Sequence, residues 1–255
     1  MKEKKSIWKE NKSEIIISVG VIIVIVLIFA SLTVYSQNWP PAVVVESSSM
    51  QHGQNFVFGV INTGDIVGVK KVNSFTDVIT YLVARESGGP VNYGEYGDVI
   101  VYDDYYRGEL VIHRALFYVE GWNGDTPILY GNNNPSWLNI SGSTVTIFDK
   151  GFRHQNVFID LANYVGQTGF VTMGDNNPVA DQQPGSGIDN SLVNMSQVKG
   201  VVFGYLPILG TLKLWIEGKT QYIPEQSNII MALVLVGLIV FAFYPGSRKN
   251  DKKIN

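Results

Sequence analysis

The sequence predicts a mainly β protein, an antiparallel-sheet domain with one covering helix, held between two membrane-spanning helices. Three observations carry this. Short runs rich in Val, Ile, Phe and Tyr recur between Gly, Asn and Asp clusters, and Gly accounts for 26 of 255 residues. Two long uncharged apolar runs lie near the ends. Charged residues make up only 16 % of the chain, against about 25 % in ordinary soluble domains, and 45 % are hydrophobic.

The elements follow in chain order. Residues 1–14 form a basic segment with Lys2, Lys4, Lys5, Lys9 and Lys12. Residues 15–35 carry no charge over 21 positions and span about 31 Å as a helix, one hydrocarbon core. The run exceeds the 7–15 apolar residues of a secretory signal, and Ala30-Ser31-Leu32 is a poor cleavage site, so it reads as an uncleaved anchor. Residues 36–227 form the exported domain. Its expected strands are Ala42–Val45, Ile66–Val69, Val99–Tyr102, Leu110–Val119, Thr144–Phe148, Phe170–Thr172, Val201–Phe203 and Thr211–Ile216. The expected helix starts at Ser74 as cap, with Asp77 three positions on. Phe75, Val78, Ile79, Leu82 and Val83 form its apolar stripe, and Gly88-Gly89-Pro90 stops it. Residues 228–244 make a second, shorter apolar run, spanning or buried in a core, and residues 245–255 a basic tail.

Lys and Arg concentrate at both ends, which places both termini in the cytoplasm and the domain outside. Trp8, Tyr35, Trp39, Tyr222 and Tyr244 mark the expected interfaces. With the nine basic and four acidic residues of the ends set aside, residues 36–227 keep 10 basic and 18 acidic residues, an acidic surface that argues against nucleic acid as a partner. The absence of Cys excludes disulfides, thiol nucleophiles and thiolate metal sites; His52, His113 and His154 leave little for a zinc site, and no metal or cofactor is expected. No phosphate-binding loop, dinucleotide fingerprint or metalloprotease motif occurs. The sequons at Asn139 and Asn194 permit glycosylation in an exported domain.

Three segments bear chemistry. The first is Glu46-Ser47-Ser48-Ser49-Met50, where a hydroxyl needs an adjacent base to become a nucleophile. The second is Val111-Ile112-His113-Arg114-Ala115. On a strand His113 shares a face with Val111, Ala115 and Phe117, and Arg114 points the other way. A neutral imidazole is a competent general base near neutral pH. His52, three residues from Ser49, is the competing base; His154 lies in a polar stretch. The third is Gly174-Asp175-Asn176-Asn177-Pro178, with Asp181 six residues after Asp175. A second turn, Gly131-Asn132-Asn133-Asn134-Pro135, has Asn where the later one has Asp175, so the turn itself needs no acid.

In order and context these segments resemble type I signal peptidases of the archaeal and endoplasmic-reticulum branch. The resemblance rests on Ser47-Ser48-Ser49-Met50 after an anchor, Gly97-Asp98-Val99-Ile100 before His113-Arg114, the Gly174-Asp175-Asn176-Asn177 box with Asp181, and Val198–Val202 through Pro207–Gly210 as closing strands. It covers about residues 20–215. His113 stands where the bacterial branch uses Lys. The chain departs from the pattern at Ser48, often Gly, and His52, often Pro, and in an apparent insertion over about 120–168; a C-terminal anchor occurs only in some members.

The resemblance implies a serine endopeptidase that removes signal peptides from exported preproteins after small residues. Ser49 would be the nucleophile and His113 the base. Asp181 or Asp175 would serve as the acid, an order the sequence leaves open. Ser47 with the Ser49 N–H would form the oxyanion hole, and Val44 and Val45 would line small side-chain pockets. Preprotein signal peptides, the lipid bilayer and the secretion translocon are the expected partners. The apolar stretch Val201–Ile216 would rest on the membrane or form core strands. Two other readings compete: a non-catalytic membrane-anchored β-rich scaffold, and a related membrane protease with a different exported substrate.

Overall fold

The computed structural model describes residues 12–243 except 187, 189 and 190. The basic segment up to residue 11, with Trp8 and four of its five lysines, and the stretch from Tyr244 through the basic tail lie outside the described residues.

Helix α1 (Lys12–Ser36) begins the described chain, and strand β1 (Ala42–Val44) follows after a short link. β2 (Ile66–Lys70), α2 (Tyr81–Ser87), the two-residue strands β3 (Val91–Asn92) and β4 (Glu95–Tyr96), and β5 (Val99–Asp104) come next. A single long strand, β6 (Glu109–Asn123), leads into β7 (Thr126–Leu129), β8 (Leu138–Ser141), β9 (Thr144–Lys150), β10 (Gln155–Asp160) and β11 (Gly169–Met173). β12 (Val198–Leu206), α3 (Thr211–Glu217) and α4 (Glu225–Phe243) complete the order.

The main sheet runs β1-β2-β12-β5-β6-β11, with β7 hung on the far end of β6, and all its pairings are antiparallel. β8–β10 form a separate three-stranded antiparallel sheet. It occupies the stretch marked by the sequence as an insertion, and Val145, Ile147, Val157 and Ile159 pack it against Leu116, Phe117 and Val119 of β6. Two further clusters fill the main sheet: one around Ile100, Tyr102, Ala115 and Phe170, the other around Val45, Met50, Ile61, Val67 and Val101. Asn139 and Asn194, the two sequon residues, are both exposed.

The expected strands form at seven of eight places. The exception is Thr211–Ile216, which is the helix α3. Its β-branched and aromatic composition suggested a strand, but its burial has helical spacing. Thr211 and Leu214 are buried three apart, Leu212 and Ile216 exposed four apart, and the left-handed Gly218 ends it. The helix expected after Ser74 also divides. Ser74 and Asp77 do form a capping box, on a single 3₁₀ turn, Phe75–Asp77. Asp98 then interrupts: its carboxylate accepts the Ile79 N–H at 2.8 Å and its own N–H donates to the Ile79 carbonyl at 2.7 Å. Val78 is held extended, and Thr80 caps a new start, α2. α2 covers the sheet with Tyr81, Leu82 and Ala84, while Val78 and Phe75 pack on the neighbouring cluster around Ile100 and Tyr102. A third difference concerns Phe117. The pairing of β6 with β11 shifts between Val171 and Thr172, so Leu116 bulges. Val111 and Ala115 stay in one core cluster while Phe117 turns into another, and the face it was expected to share with His113 is broken.

α1 from Ile15 and the whole of α4 are long and apolar enough to cross a membrane, at 22 and 19 residues with mean hydropathy 3.2 and 2.2. α4 starts earlier than its apolar run, at Glu225, because its first turn docks on the domain. The Trp215 indole N–H donates to Asn228 Oδ1 at 2.7 Å, and Gln226 bonds the Asn55 side chain and the Phe56 N–H.

Candidate functional site

The turn after β1 is fixed from both sides. Val45 and Met50 are buried in the core. Between them the Thr63 hydroxyl donates to the Ser47 carbonyl at 2.8 Å, and Gln51 N–H closes a turn onto the Ser48 carbonyl at 3.1 Å. This leaves Ser47 exposed and Ser49 half-buried, their hydroxyl oxygens 3.1 Å apart.

β6 supplies His113 and Arg114, both buried, on opposite faces. His113 Nδ1 lies 2.6 Å from Asp181 Oδ2. The same carboxylate oxygen accepts the Tyr102 hydroxyl at 2.8 Å and the Thr172 hydroxyl at 2.6 Å, and the Asp181 backbone N–H donates to the Thr172 carbonyl. Asp181 is wholly buried, with three donors converging on one oxygen. An arrangement of this kind fixes the imidazole orientation and directs Nε2 outward.

Gly174 lies where the serine turn and the imidazole meet. A Cβ placed on it would sit 2.6 Å from the Ser49 carbonyl oxygen and 2.9 Å from His113 Nε2, so any side chain there must displace the serine turn or the imidazole. Asn176 binds the serine turn directly, its N–H donating to the Ser49 carbonyl at 2.8 Å and its side-chain amide to the Ser48 carbonyl at 3.1 Å.

Asp175 faces away from His113, toward Arg114. The guanidinium grips it through two nitrogens, at 2.8 and 2.6 Å, and Nη1 spends its remaining donors on the carbonyls of Glu95, Tyr96 and Gly97. Burial alone would push the Asp175 carboxyl up. The charges of Arg114 and Lys150, with hydrogen bonds from Arg114 and His52, outweigh it and hold the carboxyl far below the usual carboxylate range. The competing base, His52, is part of this cluster: its Nε2 is 3.4 Å from Asp175 Oδ2 and its ring stacks on Phe152 at 4.0 Å. His154 is exposed and pairs with Asp149. The turn at Gly131–Pro135 lies between β7 and β8, with no buried guanidinium described beside it, and its Asn133 N–H bonds Glu86.

His52, Glu95 and Asp175 bring three metal-ligating atoms within 4.8 Å of one another. The carboxylates there already have cationic partners. Lys150 Nζ is 3.2 Å from Glu95 Oε2 and 3.6 Å from Asp175 Oδ1, and Arg114 takes both Asp175 oxygens. That donor set does not suit a metal ion.

Ser47, Ser49 and His113 open onto one cleft of about 730 Å³, a size suited to a ligand segment. Val44 and Val45 form part of its wall, with Ile112, Asn177 and Ile188. Val45 contributes from within the core, where it is 3 % exposed. Two strand edges border the gap. β1 pairs only with β2, and Glu109–His113 of β6 pair with β5 alone, since β11 begins its pairing at Arg114. Lys213 and Lys219 of the α3 region close one flank by holding Glu46 at 2.6 and 2.5 Å.

The residues singled out in sequence thus assemble into two groups. Ser47, Ser49 and His113 line the cleft, Asp181 lies buried behind His113, and Asp175 sits in a neighbouring charge cluster. Sequence reading missed Lys150, Phe152 and Arg153, which reach the cluster and its turn from the β9–β10 connection. It also missed Tyr102 and Thr172 as donors to Asp181. Strand patterning around Tyr102 and Thr172 was visible, but their hydroxyls gave no signal of a shared partner. No family model matches this chain, and no curated protein matches it.

Proposed function

We propose that this chain is a membrane-anchored serine endopeptidase of the type I signal peptidase kind, cleaving exported preproteins after small residues. One observation carries the reading: a half-buried serine and a buried histidine open on the same cleft, and that histidine's far nitrogen lies 2.6 Å from a buried carboxylate.

In this reading Ser49 Oγ attacks the scissile carbonyl while His113 Nε2 takes its proton. The tetrahedral oxyanion is held by the Ser49 N–H and the Ser47 hydroxyl. His113 then passes the proton to the departing amine, and a water deacylates Ser49 by the reverse transfer. Asp181 holds the imidazole and stabilises the imidazolium. Asp175, paired with Arg114, supports the turn and takes no part in proton transfer. The substrate strand docks between the open edges of β1 and β6, with small side chains against Val44 and Val45.

The membrane part is read the same way. Basic ends stay in the cytoplasm, α1 and α4 span the bilayer, and the domain works on its outer face. Exposed Phe203, Leu206, Leu209, Leu212 and Ile216, with Trp39 and Tyr222 near the two helix ends, support a domain seated on the lipid. Enzyme and substrate anchored in one bilayer gain effective concentration.

The test is N-terminal sequencing of a labelled preprotein after incubation with full-length chain in vesicles. Wild type and Ser48→Ala are expected to release the mature protein, and Ser49→Ala to leave it intact. Cleavage by Ser49→Ala would overturn the reading.

A further inference from the structure

We propose that the β9–β10 hairpin is a positioning element for the nucleophile turn, with Arg153 as the residue that transmits it; the proposal rests on the peptidase reading above. The hairpin belongs to the accessory sheet, yet four of its residues reach the Gly174–Asn177 turn or the charge cluster behind it. Arg153 Nη1 donates to the Asn176 backbone carbonyl at 2.6 Å and lies 3.2 Å from the Asn176 side-chain oxygen. The Gln155 side-chain amide donates to the Asn177 carbonyl at 3.1 Å. Phe152 stacks on His52, and its N–H donates to Glu95 Oε1 at 2.8 Å. Lys150, 1 % exposed, stands between Glu95 and Asp175.

The path from Arg153 to the nucleophile has a single intermediate. Arg153 holds the oxygen of the Asn176 side-chain amide, and the nitrogen of that amide donates to the Ser48 carbonyl; the Asn176 N–H donates to Ser49. A planar amide gripped at its oxygen presents its nitrogen in one direction. Arg153 therefore sets where Asn176 pulls the serine turn, and so the distance from Ser49 Oγ to His113. The hairpin tip is itself seated without slack. Gly151 has φ +60°, and a Cβ there would overlap the Glu95 carboxylate, which the Lys150–Glu95 pair holds in place. The exposed guanidinium thus bears on a rigid base, and buried ion pairs secure that base. A sheet that looks like an appendage becomes part of the catalytic framework.

Arg153 is exposed, so its removal spares the core. The experiment measures kcat, KM and Tm of full-length wild type, Arg153→Ala, Arg153→Lys, Asn176→Ala and the double variant Arg153→Ala/Asn176→Ala in vesicles, with Ser49→Ala alongside. Arg153→Ala is expected to lose about 10- to 100-fold in kcat, as sub-ångström misplacement of reacting groups does, with KM and Tm unchanged. Arg153→Lys should recover part of the loss, and the double variant should lose less than the sum of the two single variants, because the Asn176 side-chain contact is shared while the Arg153 bond to the Asn176 backbone carbonyl is not. A wild-type kcat in Arg153→Ala, strictly additive losses in the double variant, or a fall in Tm that accounts for the lost activity would overturn the proposal. Those results leave the peptidase reading intact so long as Ser49→Ala is inactive; an active Ser49→Ala overturns the reading itself.

Discussion

At the scale of single residues, two aspartates six positions apart have opposite surroundings. Asp181 receives Tyr102, Thr172 and His113 on one oxygen; Asp175 receives a bidentate guanidinium. Asp181→Asn is therefore expected to lose activity by about 10⁴ in kcat with folding retained, the loss typical of an acid that orients a catalytic imidazole. Asp175→Asn should chiefly lower Tm, because Arg114 is left buried without its countercharge, at a cost of about 3–5 kcal/mol. Cleavage rates and thermal melts of the two variants separate the roles; equal kinetic loss at unchanged Tm would contradict the assignment. The ranking was not legible in the sequence. The opposite faces of His113 and Arg114 were readable from strand alternation, but which acid meets which depends on how residues 174–181 pass β6. Ser49 and His113 were marked as candidates by the resemblance, since a serine triplet in a polar turn and a histidine on an apolar strand face are by themselves ordinary structural residues.

At the scale of elements, the Gly174–Asn177 turn is the narrowest joint. Gly174→Ala places a methyl group against the Ser49 carbonyl and His113 Nε2, both backed by buried neighbours. On the peptidase reading, the expected outcome is a chain that folds with a lowered Tm and cleaves at least about 100-fold more slowly, since reacting groups displaced by an ångström lose that much; a wild-type rate would show that the turn yields. The strands of the main sheet were read well from composition because several are buried over long stretches, as in β5 and β11, and so are written as continuous β-branched and aromatic runs. The misreadings have local physical causes. α3 is short and amphipathic, so its composition outweighed its period. The stripe after Ser74 was genuine, but a carboxylate nineteen residues away in sequence took the Ile79 backbone for itself. β8 and β10 escaped notice because polar residues alternate with the apolar ones that face β6.

For the molecule as a whole, acid stability is set by carboxylates of opposite tendency. The Asp175 pKa is lower folded than unfolded, so its contribution is complete above the unfolded value near 4 and is lost as pH falls below it. Asp65 and Asp98 are raised, chiefly by burial, and work the other way: the folded state holds their protons more tightly, which recovers part of the loss as pH falls. Melts of wild type between pH 6 and pH 2 should show Tm falling below about pH 4, and Asp175→Asn should flatten that fall; an unchanged slope in the variant would remove Asp175 as its source. The two strand borders that face the cleft have a consequence of their own. A guest lying between them is graded on its peptide groups before its side chains. Alternate N–H groups of such a guest face the two borders in turn, so methylating any amide nitrogen within the docked stretch should block processing, whereas a guest held by one border alone would tolerate every second methylation. Uniform tolerance along the guest would mean that the borders are idle.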